Sequence, residues 1–231
     1  MTTPAPAVPV PGPPALRTSI VIDYQNVHLV GHDLFGEPRG LARHETLVDP
    51  LHFANQLLHH RNANQGQGHR AARLCHVWVY RGQPSNRRDP DGYSRNQAQR
   101  AQWERDPRVH VTLRPLKYRV ERDATGRPVH DIHGQEIVIE KREKGVDVLC
   151  ALAAVREAAR PDIDLVVLAS HDSDLEPAIE AVLEMTEAKI ETFAWRHPET
   201  FSYQLARNNR RVWNTALDES VFETCRDRTE Y

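Results

Sequence analysis

The sequence predicts an α/β fold with a mainly parallel sheet covered by helices on both faces. Short apolar runs rich in β-branched and aromatic residues alternate with longer amphipathic or polar runs, the pattern of strands joined by crossover helices. In "VVLASHDSDLEPAIEAVLEM" (166–185) an unbroken apolar run passes directly into the cleanest helical period of the chain. The 231 residues, 39% hydrophobic and 27% charged, suit one soluble globular domain with ragged ends or an insertion.

Element by element, residues 1–17 form a Pro-rich tail with too little apolar bulk to pack, expected to be disordered. "TSIVID" (18–23) reads as a buried strand closed by its Asp. "DPLHFANQLLHHRNA" (49–63) reads as a helix with Leu51, Ala54, Leu57 and Leu58 on one face. "RLCHVWVY" (73–80) is a strand, 83–92 a loop by its turn residues, and 93–106 a polar helix ending before Pro107. Residues 108–116 are again a strand. The segment 117–141 predicts a protruding β-hairpin, with Tyr118 and Val120 opposite Ile137 and Ile139.

"GVDVLCALAAVREAAR" (145–160) predicts a helix stopped by Pro161, and 164–170 a buried strand. In the helix 174–187, Leu175, Ala178, Ile179, Val182 and Leu183 share one face and Glu176, Glu180, Glu184 and Glu187 the other. Pro177 sits in its first turn, where a missing N–H costs little. A strand over 188–195 closes the predicted domain (18–195), and 196–231 follow as a C-terminal extension ending in a short helix.

Composition excludes several classes. Cys75, Cys150 and Cys225, odd in number and far apart, form neither a disulfide framework nor a zinc ribbon. No apolar run approaches a membrane span, and the opening residues lack a signal core, so a cytoplasmic chain without a membrane partner is expected. The thirteen histidines lack metal-ligand spacing, and no phosphate-cradling, dinucleotide or serine-hydrolase glycine motif occurs. The net charge of -2 hides segregation: residues 81–122 hold eleven Lys/Arg against five Asp/Glu, a net of +6, and 161–191 nine acids against one Lys, a net of -8.

Four acids converge if the predicted strands are neighbours. Asp23 closes the first strand, Asp172 follows the strand 164–170, Asp174 opens the next helix, and Asp147 lies in the first turn of the helix that crosses over into 164–170. All four fall at the carboxyl edge, where open α/β sheets bind ligands. Gathered anions repel unless a cation neutralises them, and Mg²⁺ or Mn²⁺ favour oxygen donors of this kind. Two such ions about 3.5–4 Å apart suit phosphodiester hydrolysis. Taken singly, each acid has a structural alternative: a turn residue for Asp23, an N-cap or first-turn charge for the others.

The blocks "VIDYQNVH" (21–28), "EKGVDVLCALAA" (143–154) and "VVLASHDSDLEPAIEAV" (166–182) resemble, in order and spacing, the signature blocks of the NYN domain, a branch of the PIN-like metal-dependent nucleases. The resemblance spans residues 18–195 and implies a three-layer α/β/α PIN-like fold, with the hairpin as an insertion, and RNA cleavage supported by Mg²⁺ or Mn²⁺. It places the family's acids on Asp23, Asp147, Asp172 and Asp174. Asn26 fits the D-x-x-N start and would orient a phosphate or water, or else form a plain Asx-turn. Ser170 and Ser173 match hydroxyl positions that hydrogen-bond carboxylates, and Lys144 matches the lysine that balances phosphate charge, or is simply solvated. His171 departs from the family's Gly; a side chain there is expected to crowd the metal loop or contact RNA. The implied reaction is in-line attack of water at phosphorus, leaving a 5′-phosphate and a 3′-hydroxyl.

The basic segment would grip the polyanion, with Arg114, Lys117 and Arg119 on the hairpin as a clamp over single-stranded RNA. Tyr80, Tyr93, Trp103 and Tyr118 would stack bases, or else belong to the core. Two other classes stay open: a non-catalytic RNA-binding or scaffold domain, and a phosphatase of small metabolites, although "DYQN" lacks the D-x-D of the haloacid dehalogenase type. The sequence leaves open which RNA is the substrate and whether the chain is a monomer or a homodimer.

Overall fold

A computed structural model describes residues 13–64, 69–200, 202–206, 208–209 and 211–231. The chain runs β1 (Leu16–Asp23), α1 (Tyr24–Gly31), α2 (Pro50–Ala63), β2 (Ala72–Gln83), α3 (Pro90–Trp103) and β3 (Val109–Pro115). A two-stranded excursion follows, β4 (Lys117–Val120) and β5 (Val138–Arg142). The chain then returns as α4 (Val146–Ala158), β6 (Leu165–Ala169), α5 (Glu176–Met185), β7 (Lys189–Trp195), β8 (Trp213–Leu217) and α6 (Glu219–Cys225).

Six parallel strands are ordered β3-β2-β1-β6-β7-β8. β1 is buried throughout except at Arg17, as a central strand with neighbours on both sides requires. Alternation sorts its side chains. Ile20 and Ile22 join the core under α1, α2 and α6, whereas Val21 joins the core under α4 and α5. This is the expected three-layer α/β/α arrangement of a PIN-like fold. From β1 the chain builds outward through β2 and β3, then resumes on the other side with β6, so the strand order reverses between β1 and β6. The carboxyl end of that pair is the topological switch point of the sheet.

Several boundaries differ from expectation, each for a local reason. β1 begins inside the segment read as tail: Leu16 is buried and Arg17 makes a bidentate bond to Asp164. Residues 1–12 of that segment lie outside the described residues. α1 was not anticipated, because its inward positions Tyr24, Val27, His28 and Gly31 include a histidine and a glycine that conceal the apolar stripe. α3 starts earlier than predicted, with Asp89 as N-cap and Pro90 in the first turn. The helix expected from 174 opens as a 3₁₀ turn, Ser173–Leu175, before α5.

The hairpin forms with a shifted register. Tyr118 pairs with Lys141 and Val120 with Val138, an irregularity between Arg119 and Val120 displacing the predicted partners Ile137 and Ile139. Between the strands the chain doubles back, with Val129 N–H on the Glu121 carbonyl and Ile137 N–H on the Val129 carbonyl. Gly126 and Gly134 close the two turns at φ 81° and 73°, a region that glycine enters without strain. Beyond residue 195 the chain continues the domain: β8 is the sixth strand, and Phe222 of α6 packs on Phe35 and Trp195. Among the described residues no helix is long and apolar enough to cross a membrane.

Candidate active site

The switch point carries the acids. Asp23 ends β1 and caps α1; it is only 6% exposed. Ser170 Oγ donates to its Oδ2 at 3.1 Å, and the Asn26 N–H approaches its Oδ1 at 3.4 Å. Burial and the neighbouring charges of Glu143 and Asp172 together push its carboxyl up to about 7, against the two hydrogen bonds. Ser170, fully buried at the end of β6, also accepts the Asp172 N–H at 3.1 Å. One hydroxyl thus orders the carboxylate of β1 and the loop after β6. The Asn26 carbonyl closes the same junction by accepting the His171 N–H at 2.6 Å.

From the other side comes the loop into α4. Gly145 adopts φ 79°, which turns the chain so that Asp147 enters the first turn of α4 while Glu143 reaches back toward β2. There Glu143 Oε1 accepts the Gly82 N–H. A Cβ at Gly82 would stand 2.5 Å from that oxygen, so only glycine admits this approach. Burial, and then the Asp147 charge, raise the Glu143 carboxyl. Burial also raises the Cys150 thiol well above its ordinary value, with Asp23, Glu143 and Asp147 adding to the effect.

The predicted residues therefore divide. Asp23 feels the charges of Glu143 and Asp172, and Glu143 that of Asp147; Glu143, at the head of the block 143–154, is an acid the sequence reading did not assign. Asp174 is exposed, and its N–H is held by Asp172 Oδ1 at 3.0 Å; among the described residues no hydrogen bond ties its carboxylate to the others. Ser173 is exposed, with no side-chain hydrogen bond among the described residues. Lys144 is exposed, and its carbonyl accepts Arg114 Nε at 2.7 Å, which brings Arg114 against the Gly145 turn. Lys117 and Arg119 project from the hairpin, where Arg119 stands 3.9 Å from Glu140.

His171 does not crowd the acids. Its ring turns into the core against Phe193, with Nδ1 2.6 Å from the Tyr203 carbonyl and Nε2 accepting the Trp195 N–H. Two of the four aromatic candidates are core as well. Tyr80 is buried, and Trp103 is buried with its indole N–H on Asp227. The Tyr118 hydroxyl accepts the Ser85 N–H beneath Arg88, and Tyr93 is half-buried on α3.

Electrostatics decides what the cluster can do. Among the described residues, Asp23, Glu143, Asp147 and Asp172 make no ion pair within 4.0 Å. Their donors are all hard carboxylate oxygens, a set that would suit a hard divalent cation. The same described residues hold no group of three His, Cys, Asp or Glu side chains close enough to bind an ion as they stand.

A parallel sheet between two helical layers, with acids at its switch point, is an α/β/α architecture of the PIN-like kind. The model of the NYN domain matches residues 92–212, more than half of the 231. The chain belongs to the NYN domain family, within the PIN-like nucleases. That match contains Glu143, Asp147 and Asp172 and begins after Asp23, which the fold supplies through β1. A solved protein of unknown function from Vibrio parahaemolyticus aligns over 80% of this chain and 84% of its own, at 19% identity and a TM-score of 0.44. No curated protein matches the chain.

Proposed function

We propose that the protein is a ribonuclease whose carboxylates Asp23, Glu143, Asp147 and Asp172 hold Mg²⁺ or Mn²⁺ and which hydrolyses phosphodiester bonds of single-stranded RNA. The observation that supports it most is the gathering of acids without ion-pair partners, among the described residues, at the switch point, in a chain of the NYN family. Ions bound there supply Lewis-acid polarisation of the phosphodiester and activation of water near neutral pH.

The chain's own contribution is positioning. Ser170 and Asn26 fix the Asp23 carboxylate and the Asp172 loop relative to one another. Because the Asn26 carbonyl is engaged by His171, its Nδ2 donors are left for a substrate oxygen. Arg114, anchored to the Lys144 carbonyl, sets a guanidinium beside the acidic loop, where it attracts the approaching backbone. Asp174 and Ser173 stand at the rim, Lys144 is a solvated charge near the entrance, and Lys117 and Arg119 extend the basic surface along the hairpin.

A second reading, a non-catalytic RNA-binding domain, is favoured by the absence of a ready three-ligand group among the described residues. Incubation with end-labelled single-stranded RNA, in Mn²⁺ and in EDTA, separates the two. Cleavage with Mn²⁺ that EDTA abolishes, yielding 5′-phosphate ends, is expected of the ribonuclease; binding without cleavage selects the second reading. Neither cleavage nor binding would overturn both.

A further inference from the structure

One helix of the fold buries the wrong face. The inward positions of α3 are Gly92, Asn96, Gln99 and Trp103, so amides occupy sites where an α/β protein places Leu or Ala. Buried amides cost free energy unless they are bonded. Asn96 Nδ2 donates to the Gly82 carbonyl at 2.9 Å, and Gln99 Oε1 accepts Arg81 Nη1 at 2.7 Å. Both bonds hold the carboxyl end of β2, and the second holds a cation. The Arg81 guanidinium lies over the Tyr24 ring at 4.5 Å and near Trp103 at 5.6 Å. Two aromatic faces and an amide fix it, yet no carboxylate stands within 4.0 Å of it among the described residues. Burial lowers its pKa, against the longer-range pull of Glu143.

What Arg81 faces is a cleft of about 920 Å³ at the same sheet edge as the acids. Tyr24 follows Asp23 directly, and Glu143 acts electrostatically on both Asp23 and Arg81. Arg43, Arg95 and Arg228 also line the cleft, and like Arg81 they make no ion pair among the described residues. Of the acids in its wall, Asp89 is paired with Lys141, Asp227 accepts from Trp103 and Tyr231, and Glu45 accepts the Ala42 N–H. Glu230 is the remaining one. Of the arginines in the wall, Arg226 is ion-paired with Glu223; Arg43, Arg81, Arg95 and Arg228 make no ion pair among the described residues, while most of the acids are engaged.

We propose that this cleft binds a phosphate-bearing nucleotide of the RNA strand, its anionic group on Arg81 with Arg95 and Arg228 around it, and so feeds the strand toward the neighbouring acids. This rests on the reading of RNA as substrate and adds the place where the strand is held. The planar guanidinium, pinned by Tyr24 and Gln99, offers the paired donors that a phosphate takes from arginine. The anion could be an internal phosphodiester or a terminal 5′-phosphate, which present the same chemistry.

The test is equilibrium binding of a 3′-fluorescein single-stranded RNA 12-mer to the full chain carrying Asp23→Asn, measured across salt concentrations. Arg95→Gln and Arg228→Gln, both at the cleft wall, should each weaken binding about three- to tenfold and reduce the salt slope by about 0.7 per lost phosphate contact. Arg81→Gln should weaken it more than tenfold, with Arg81→Lys intermediate because the charge survives without the fork. If removing the 5′-phosphate weakens binding only while Arg81 is present, the anion is terminal; if it changes nothing and the arginine variants still lose affinity, the anion is internal. Unchanged affinity and slope in Arg95→Gln and Arg228→Gln would overturn the proposal, as would failure of the chain to bind RNA at all. Arginine-dependent binding in the Asp23→Asn chain, with no Mn²⁺-dependent cleavage by the parent chain, would leave the cleft standing and remove the ribonuclease; cleavage by the parent with arginine-independent binding would do the reverse.

Discussion

The side-chain carbonyl of Asn26 accepts the backbone N–H of His171 at 2.6 Å, joining the turn after β1 to the turn after β6 across the switch point. With Ser170 bonded both to Asp23 and to the Asp172 N–H, this makes the two loops one unit. Asn26→Ala removes the acceptor and leaves the His171 N–H unpaired in a partly buried place. A loss of about 1–3 kcal/mol in unfolding free energy is expected, together with a fall in cleavage that resides in kcat rather than KM. A variant that loses stability yet keeps kcat would show that the bond is structural only.

Asp23→Asn should abolish cleavage and still stabilise the fold. The Asp23 carboxyl sits near 7 when folded against about 3.8 when unfolded, so its charged form is disfavoured in the native state. The penalty is complete above pH 7 and vanishes below about pH 4; the amide escapes it. Burial and the two like charges make the effect on the order of 4 kcal/mol at pH 8 in EDTA. Thermal unfolding of Asp23→Asn beside the parent should show a higher Tm at pH 8 and a gap that closes toward pH 4. Asp172→Asn should abolish cleavage with a smaller change in Tm, because Asp172 is less buried. Retained cleavage in either variant removes that residue from the mechanism.

The parallel sheet was legible because its strands are uninterrupted apolar runs, and the place of Asp23 and Asp172 at its carboxyl edge because both stand at strand ends. Glu143 was not legible. Its approach depends on the left-handed turn at Gly145 and on the missing Cβ of Gly82, sixty-one residues away in the chain and paired with it only in space. Asp174 lies exposed in a 3₁₀ turn, a placement its sequence adjacency to Asp172 did not show. His171 looked like an obstacle because a sequence cannot say that a side chain turns into the core beneath β7. α1 and β8 were missed where a buried His and an exposed Trp broke the expected patterns.

This difference is directly testable. Glu143→Gln should cost cleavage at least a hundredfold, comparable to Asp23→Asn, because it removes charge from the cluster while keeping an acceptor for the Gly82 N–H. Asp174→Asn should retain cleavage within a fewfold, its carboxylate being exposed and outside the bonded set. Initial rates at saturating Mn²⁺ would decide; a dead Asp174→Asn with an active Glu143→Gln would restore the set read from the sequence alone.

The last prediction concerns acid, and its sign follows from His28. This side chain is buried on α1, with Nε2 3.0 Å from the Arg43 carbonyl, and burial holds it down to about 4, assisted by the positive charges of Arg81, His32 and Arg43. Unfolded, it would titrate near 6.5. Between those values the unfolded chain takes up the proton and the folded chain does not, so stability is complete above pH 6.5 and is lost as pH falls toward 4, on the order of 3 kcal/mol in all. Asp23 slopes the other way over nearly the same window, and in the parent the two effects largely oppose each other. In EDTA, urea unfolding of Asp23→Asn from pH 7 to 4 should therefore reveal a steep loss that the parent hides, and His28→Gln added to that background should flatten it. A slope that persists in the double variant would assign the acid sensitivity to another group.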